Sequence, residues 1–225
     1  MKNLIKQHDR SAMGAAIRGC PEQIATILDR YAGWTPSAQV PDFDNVLFIG
    51  MGGSAIGGDM VRVWSDRLAS RPMAVLRDYR IPNWVNERTL TVASSYSGNT
   101  EETLSATGAA MDKGSRVVAI TSGGRLAALA GESGWSRLEI PAGMQPRAAI
   151  GYSVAATCVA LVGLEVLPGT VLEELATGAE LMRADGERWS DYEREDNPLP
   201  AQAGRLWSAL PVIYGSVGTT EILAV

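Results

Sequence analysis

The chain has 225 residues, a formal net charge of -5 and a single histidine. Hydrophobic residues make up 46% and charged residues 20%, a balance that suits a globular chain with a real core. With no basic run, nucleic acid is not an expected partner, and an anionic ligand has to be held by local donors against a mildly repulsive field.

Residues 1–31 read as helix in two pieces, the second opening with Pro21 in its first turn and Glu22 beside it. A polar, proline-containing connection follows over 33–44. From Asn45 the texture becomes strand alternating with helix. Val46–Ile49 is a short continuous apolar run, as expected of a strand buried on both faces. Residues 56–64 have helical spacing. Met73–Leu76 predicts a second strand, Leu90–Ala93 a third, 103–111 a helix, Val117–Ile120 a fourth strand, 126–130 a short helix and Leu138–Ile140 a fifth strand. This alternation predicts a parallel five-stranded sheet with right-handed crossovers, flanked by helices.

The apolar stretch from Ala148 to Leu164 carries Tyr152, Ser153 and Thr157, falls short of the ~18 uninterrupted apolar residues of a membrane span, and is read as a buried helix. A membrane is therefore not an expected partner. Residues 171–189 form a further amphipathic helix, and Asp196-Asn197-Pro198 a helix start. Leu210–Tyr214 is read as another strand, followed by Gly215-Ser216-Val217-Gly218-Thr219-Thr220. That segment looks like the opening of a second, incomplete α/β unit. The expected division is a first domain over 1–150 and, over 151–225, linking helices with the start of the second unit. A lone parallel strand needs neighbours, so the expectation is a fragment or a partner that completes the second sheet.

Two hydroxyl-rich loops stand after apolar strands. The first is Gly50-Met51-Gly52-Gly53-Ser54-Ala55, the second Ser95-Tyr96-Ser97-Gly98-Asn99-Thr100-Glu101-Glu102-Thr103. A strand, a tight polar turn and a helix start gather backbone N–H groups and hydroxyls at helix N-termini, where anions bind. The pair suggests a pocket for a phosphorylated small molecule, without metal or cofactor. Thr100 is also a good N-cap. Neither loop ends in Gly-Lys-Ser/Thr, which disfavours a P-loop nucleotide site. Gly50-x-Gly52-x-x-Ala55 with Asp78 after the second strand fits a loose dinucleotide fingerprint, so a dinucleotide-binding domain is a lesser alternative. Thr121-Ser122-Gly123-Gly124 is a third cluster of open meaning. Cys20 and Cys158 are read as two separate thiols, consistent with a reducing cytoplasm.

Gly-Met-Gly-Gly-Ser at 50–54 together with Ser-Tyr-Ser-Gly-Asn-Thr-Glu-Glu-Thr at 95–103 resembles the sugar isomerase (SIS) fold, and within it the bifunctional phosphoglucose/phosphomannose isomerases. Pro21-Glu22-Gln23, Arg77-Asp78-Tyr79, residues 120–124, Pro146 to Tyr152 and Tyr214-Gly215-Ser216 support the resemblance. It implies reversible conversion of glucose 6-phosphate or mannose 6-phosphate to fructose 6-phosphate by a cytoplasmic homodimer. Carried over by position, Gly53 and Ser54 line the sugar-phosphate site, Ser95, Ser97 and Thr100 hold the phosphate, and Arg147 lies near the reacting carbons. The family's basic glutamate, in a Glu-Asn-Ala-Lys-like segment, its assisting histidine and a C-terminal lysine all map beyond Val225, and His8 matches none of them. The chain is thus expected to carry the binding half of the site and to be inactive alone, with a non-catalytic sugar-phosphate module as the alternative.

Overall fold

The computed structural model describes residues 5, 7–37, 42–216 and 218. In chain order the elements are α1 (Met13–Arg18), α2 (Cys20–Arg30), β1 (Asn45–Ile49), α3 (Gly52–Ser65), β2 (Met73–Leu76), β3 (Thr89–Ser95), α4 (Glu101–Asp112), β4 (Arg116–Thr121), α5 (Gly124–Ser133), β5 (Ser136–Glu139), a 3-10 turn (Pro146–Ala149), α6 (Ile150–Gly163), α7 (Thr170–Trp189) and α8 (Leu199–Leu206). The five strands form one sheet in the order β2-β1-β3-β4-β5, every pair parallel. Ile49 stands beside Leu76 on one side and Ala93 on the other.

Period-two alternation divides the strand side chains between two helical layers. Val46, Phe48, Leu90, Val92, Val118 and Ile120 face α2, α3 and α6, sharing a core with Ile24, Ile27, Val61 and Leu161. Leu47 and Ile49 face the other way, against Ala106 and Ala110 of α4, and Ala93, Val117 and Ala119 pack on Leu126 and Ala130 of α5. Strands covered on both faces need no polar alternation, which is why each reads as a continuous apolar run. The outer edge of β5 is closed by Tyr31, whose hydroxyl donates to the Glu139 carbonyl at 3.0 Å and accepts from the Glu139 amide at 2.6 Å.

Helix α6 is the apolar stretch read as buried. Ten of its fourteen residues are buried, because it lies between α2 and α3 on one side and α7 on the other. By length and composition residues 146–163 could cross a bilayer, but most of the segment is enclosed by protein. Asn197 starts α8 as expected, its side-chain oxygen accepting from the Leu199 amide at 3.0 Å.

The expected strand over Leu210–Tyr214 is not one. These residues have no regular secondary structure and are exposed, with Leu210 at 88% and Tyr214 at 86%. A strand forms only where a neighbour takes up its backbone N–H and C=O groups, and none stands beside this segment among the described residues. The loop theme over 215–220 falls largely outside those residues.

Both cysteines are free, with Cys158 fully enclosed in α6. Burial pushes its thiol up to about 12 from an ordinary value of 9.0. The folded chain therefore holds this proton more tightly than the unfolded chain. Its contribution to stability is complete below about pH 9 and is lost as pH rises toward about 12. Titration with a thiol reagent at neutral pH should leave Cys158 unmodified in the native protein and modify it after addition of denaturant.

Candidate functional site

Strand β1 occupies the point where the sheet changes direction. Its connection runs outward to β2, whereas the connection after its neighbour β3 runs the opposite way to β4. The chain thus leaves the C-terminal ends of β1 and β3 toward opposite faces, into α3 and α4, and in open parallel sheets this point of reversal is the place where ligands bind. The first loop follows β1 there and the second follows β3.

The glycines of the first loop are positioned by close packing. Gly52 has φ +52°, which a side chain rarely tolerates. A Cβ on Gly53 would lie 3.0 Å from the Pro146 carbonyl oxygen and 3.3 Å from the Arg147 nitrogen. This contact seats the first turn of α3 directly against the segment that carries Arg147. The helix begins earlier than its apolar spacing indicates, at Gly52, so Gly53 and Ser54 belong to its first turn. Ser54 is 8% exposed, and its hydroxyl oxygen accepts from the Tyr96 amide at 3.1 Å, joining the two loops.

In the second loop Ser95 ends β3 and is 1% exposed. Its hydroxyl accepts from the Gly98 amide at 3.1 Å and shares a 2.8 Å hydrogen bond with the Thr100 hydroxyl. Thr100 does stand at the N-cap of α4, but its side chain makes no capping bond, so no side chain closes the first turn of that helix. The helix's leading N–H groups thus stand at the C-terminal end of β3 without a side-chain cap. Ser97 is exposed and accepts from the Asn99 amide at 3.2 Å, which leaves its hydroxyl proton for an outside acceptor. Glu101 and Glu102 stand in the first turn of α4. Together with partial desolvation, their charge pushes the Tyr79 phenol upward.

The third cluster supports the second loop. The amide and hydroxyl of Ser122 both donate to the Tyr96 carbonyl, at 3.1 and 2.6 Å. The Arg125 amide donates to Asn99 Oδ1 at 2.9 Å and the Leu126 amide to the Gly98 carbonyl at 2.9 Å. Gly98 has φ +69°, and a Cβ there would stand 1.8 Å from the Gly123 carbonyl oxygen. Arg147 lies on the exposed 3-10 turn between β5 and α6. The structure therefore brings Gly53, Ser54, Ser95, Thr100 and the Arg147 backbone to one end of the sheet, with Ser97 at the outer rim.

Sequence reasoning passed over Tyr96. Besides its backbone bonds to Ser54 and Ser122, its hydroxyl donates to the Pro141 carbonyl at 2.9 Å and accepts from the Met144 amide at 3.0 Å. The signal was available, since a tyrosine at a buried strand end needs a partner for its hydroxyl.

No protein-family profile matches the chain. A bifunctional phosphoglucose/phosphomannose isomerase of Caldicellulosiruptor bescii is 38% identical over 213 residues, covering 94% of this chain and 62% of that protein. One of Thermoplasma acidophilum is 37% identical over 199 residues, covering 87% of this chain and 57% of that protein. The chain is homologous over most of its length to curated bifunctional phosphoglucose/phosphomannose isomerases. It spans about three-fifths of the length of these relatives. Solved structures agree on the fold. A proposed phosphosugar isomerase of Silicibacter pomeroyi DSS-3 superposes with a TM-score of 0.60 at 23% identity, over 80% of this chain and 58% of that one. Another, from Clostridium difficile 630, gives 0.58 at 17% identity, over 76% of this chain and 52% of that one. The architecture is the SIS-type parallel sheet flanked by helices.

Because Gly98 and Gly123 touch through bare backbone, Gly98→Ala should force the second and third loops apart. Hydrogen exchange should quicken at least about tenfold at the Ser122 and Leu126 amides, while the Val92 and Val118 amides in the sheet stay protected.

Proposed function

We propose that this end of the sheet binds a hexose 6-phosphate and that the chain supplies the substrate-binding half of a sugar-phosphate isomerase, interconverting glucose 6-phosphate or mannose 6-phosphate with fructose 6-phosphate. One observation carries the reading. Helices α3 and α4, neither with a side-chain N-cap bond, start after the adjacent strands β1 and β3 at the sheet's point of reversal, Ser54, Ser97 and Thr100 belong to those two loops, and the Arg147 segment packs on Gly53. The likeness to curated isomerases supports it.

In this reading the phosphate sits at the start of α4, taking hydrogen bonds from the leading N–H groups and from the Ser97 and Thr100 hydroxyls. Ser54 offers its hydroxyl proton from the other side, since its oxygen already accepts from Tyr96. Ser95 shapes the loop from beneath by holding Gly98 and Thr100. Anchoring the remote phosphate orients the sugar's other end. There the reaction removes a proton next to a carbonyl and passes through an enediolate, whose developing negative charge a fixed Arg147 stabilises. Glucose and mannose phosphates differ only at the carbon that loses this proton, so one enediolate serves both. In this reading the proton-transferring groups that the resemblance implies come from outside residues 1–225.

Calorimetry with hexose 6-phosphates tests the reading on the chain as it stands. Binding is expected, and no heat at millimolar ligand would overturn it. Ser97→Ala should weaken the affinity by ~1–2 kcal/mol, the worth of one charge-assisted hydrogen bond, and an unchanged affinity would remove Ser97 from the site. Formation of fructose 6-phosphate should require a longer protein that includes a Glu-Asn-Ala-Lys-like segment. Binding without turnover in that longer protein would make it a sugar-phosphate-binding module instead.

A further inference from the structure

Gln23 lies on the core side of α2, between apolar neighbours, and is only 3% exposed. A buried amide needs partners, and those of Gln23 all lie in one place. Its Nε2 donates to the Ala148 carbonyl at 2.7 Å and to Met144 Sδ at 3.9 Å. These two acceptors bracket Pro146 and Arg147. The Gln23 side-chain oxygen is buried without a hydrogen-bond partner, and a Cβ on Gly151, at the start of α6, would stand 3.0 Å from it. An apolar side chain of similar size would avoid that unmet acceptor. Core packing therefore does not account for the amide, whereas the segment its two N–H groups hold does.

The same segment is gripped from the opposite side. The Tyr96 hydroxyl bridges the Pro141 carbonyl and the Met144 amide, while the backbone of Tyr96 is tied to Ser54 and Ser122. Gly53 presses on Pro146 from a third direction. Without these holds, Arg147 would ride on a four-residue 3-10 turn at the surface. A cation on so short a turn has many orientations, and stabilising a developing oxyanion requires that the charge be in place beforehand.

We propose that Gln23, acting with Tyr96, is a positioning residue that clamps residues 144–148 and so fixes Arg147 toward the reacting end of the sugar. The inference rests on the reading of Arg147 given above.

The test uses the full chain and two probes. Inorganic phosphate engages the helix starts alone. 5-Phosphoarabinonate adds a carboxylate where the enediolate oxygens would develop. Gln23→Leu and Tyr96→Phe should each weaken 5-phosphoarabinonate about tenfold, keep phosphate affinity within about twofold, and add nothing to the loss caused by Arg147→Ala. Tyr96→Phe removes a single oxygen, so it tests the clamp even where Gln23→Leu fails to fold. Unchanged aldonate affinity in a folded variant, equal losses for both probes, or losses additive with Arg147→Ala would each overturn the proposal while leaving the phosphate site intact. If Arg147→Ala itself leaves the aldonate affinity unchanged, the role of Arg147 falls, and the clamp's purpose with it. If neither probe binds the unaltered chain, the binding-site reading is what fails.

Discussion

A right-handed crossover on parallel strands is the constraint from which the site follows. Strands β1 and β3 lie side by side, yet their crossovers lead to opposite edges of the sheet, so α3 must pack on one face and α4 on the other. Two helices that start from adjacent strand ends and diverge across the sheet aim their positive ends at a shared gap. No side chain has to create this field. The side chains decide what can enter it and how tightly it is held.

The hydroxyl groups differ in burial. Those of Ser95 and Ser54 are buried and accept backbone N–H groups, so they set the curvature of the loops and join one to the other. Ser97 stands at the outer rim and Thr100 is half-buried. Residue type does not distinguish the two kinds, because each hydroxyl combines one donor with two acceptor positions. The surroundings do so, by filling the acceptor positions and leaving the proton. A similar division holds for charge. Asp59, buried in α3, is paired with Arg77 beyond the end of β2, tying the edge strand to the helix rather than confronting an anion at the helix start.

The strands were legible because each is covered on both faces, which turns a strand into an uninterrupted apolar word such as Val46–Ile49. The helices were legible in their middles and misjudged at their starts. Gly52-Gly53-Ser54 has no helical periodicity of its own, and it is helical because Gly53 packs on Pro146. Thr100 was legible as a position but not as a bond, since its hydroxyl turns to Ser95 five residues back in the chain. Gln23 and Tyr96 depend on contacts more than forty residues distant, which periodicity cannot encode. The strand expected at Leu210–Tyr214 shows the converse limit. Local pattern supplies a strand's face, and only a neighbour supplies its ladder.

Helix α3 has consecutive glycines at its waist, and a Cβ on either would strike its surroundings: Gly57 within 2.3 Å of the Ser153 hydroxyl, Gly58 within 2.4 Å of the Phe48 ring. The helix is therefore sunk into the molecule along two sides and has little room to slide, tilt or rotate. Its front end inherits that immobility. On the proposed reading, a guest arriving at Ser54 meets a rigid doorstep rather than a lid that must first settle, so the ordering lost on association falls on the guest.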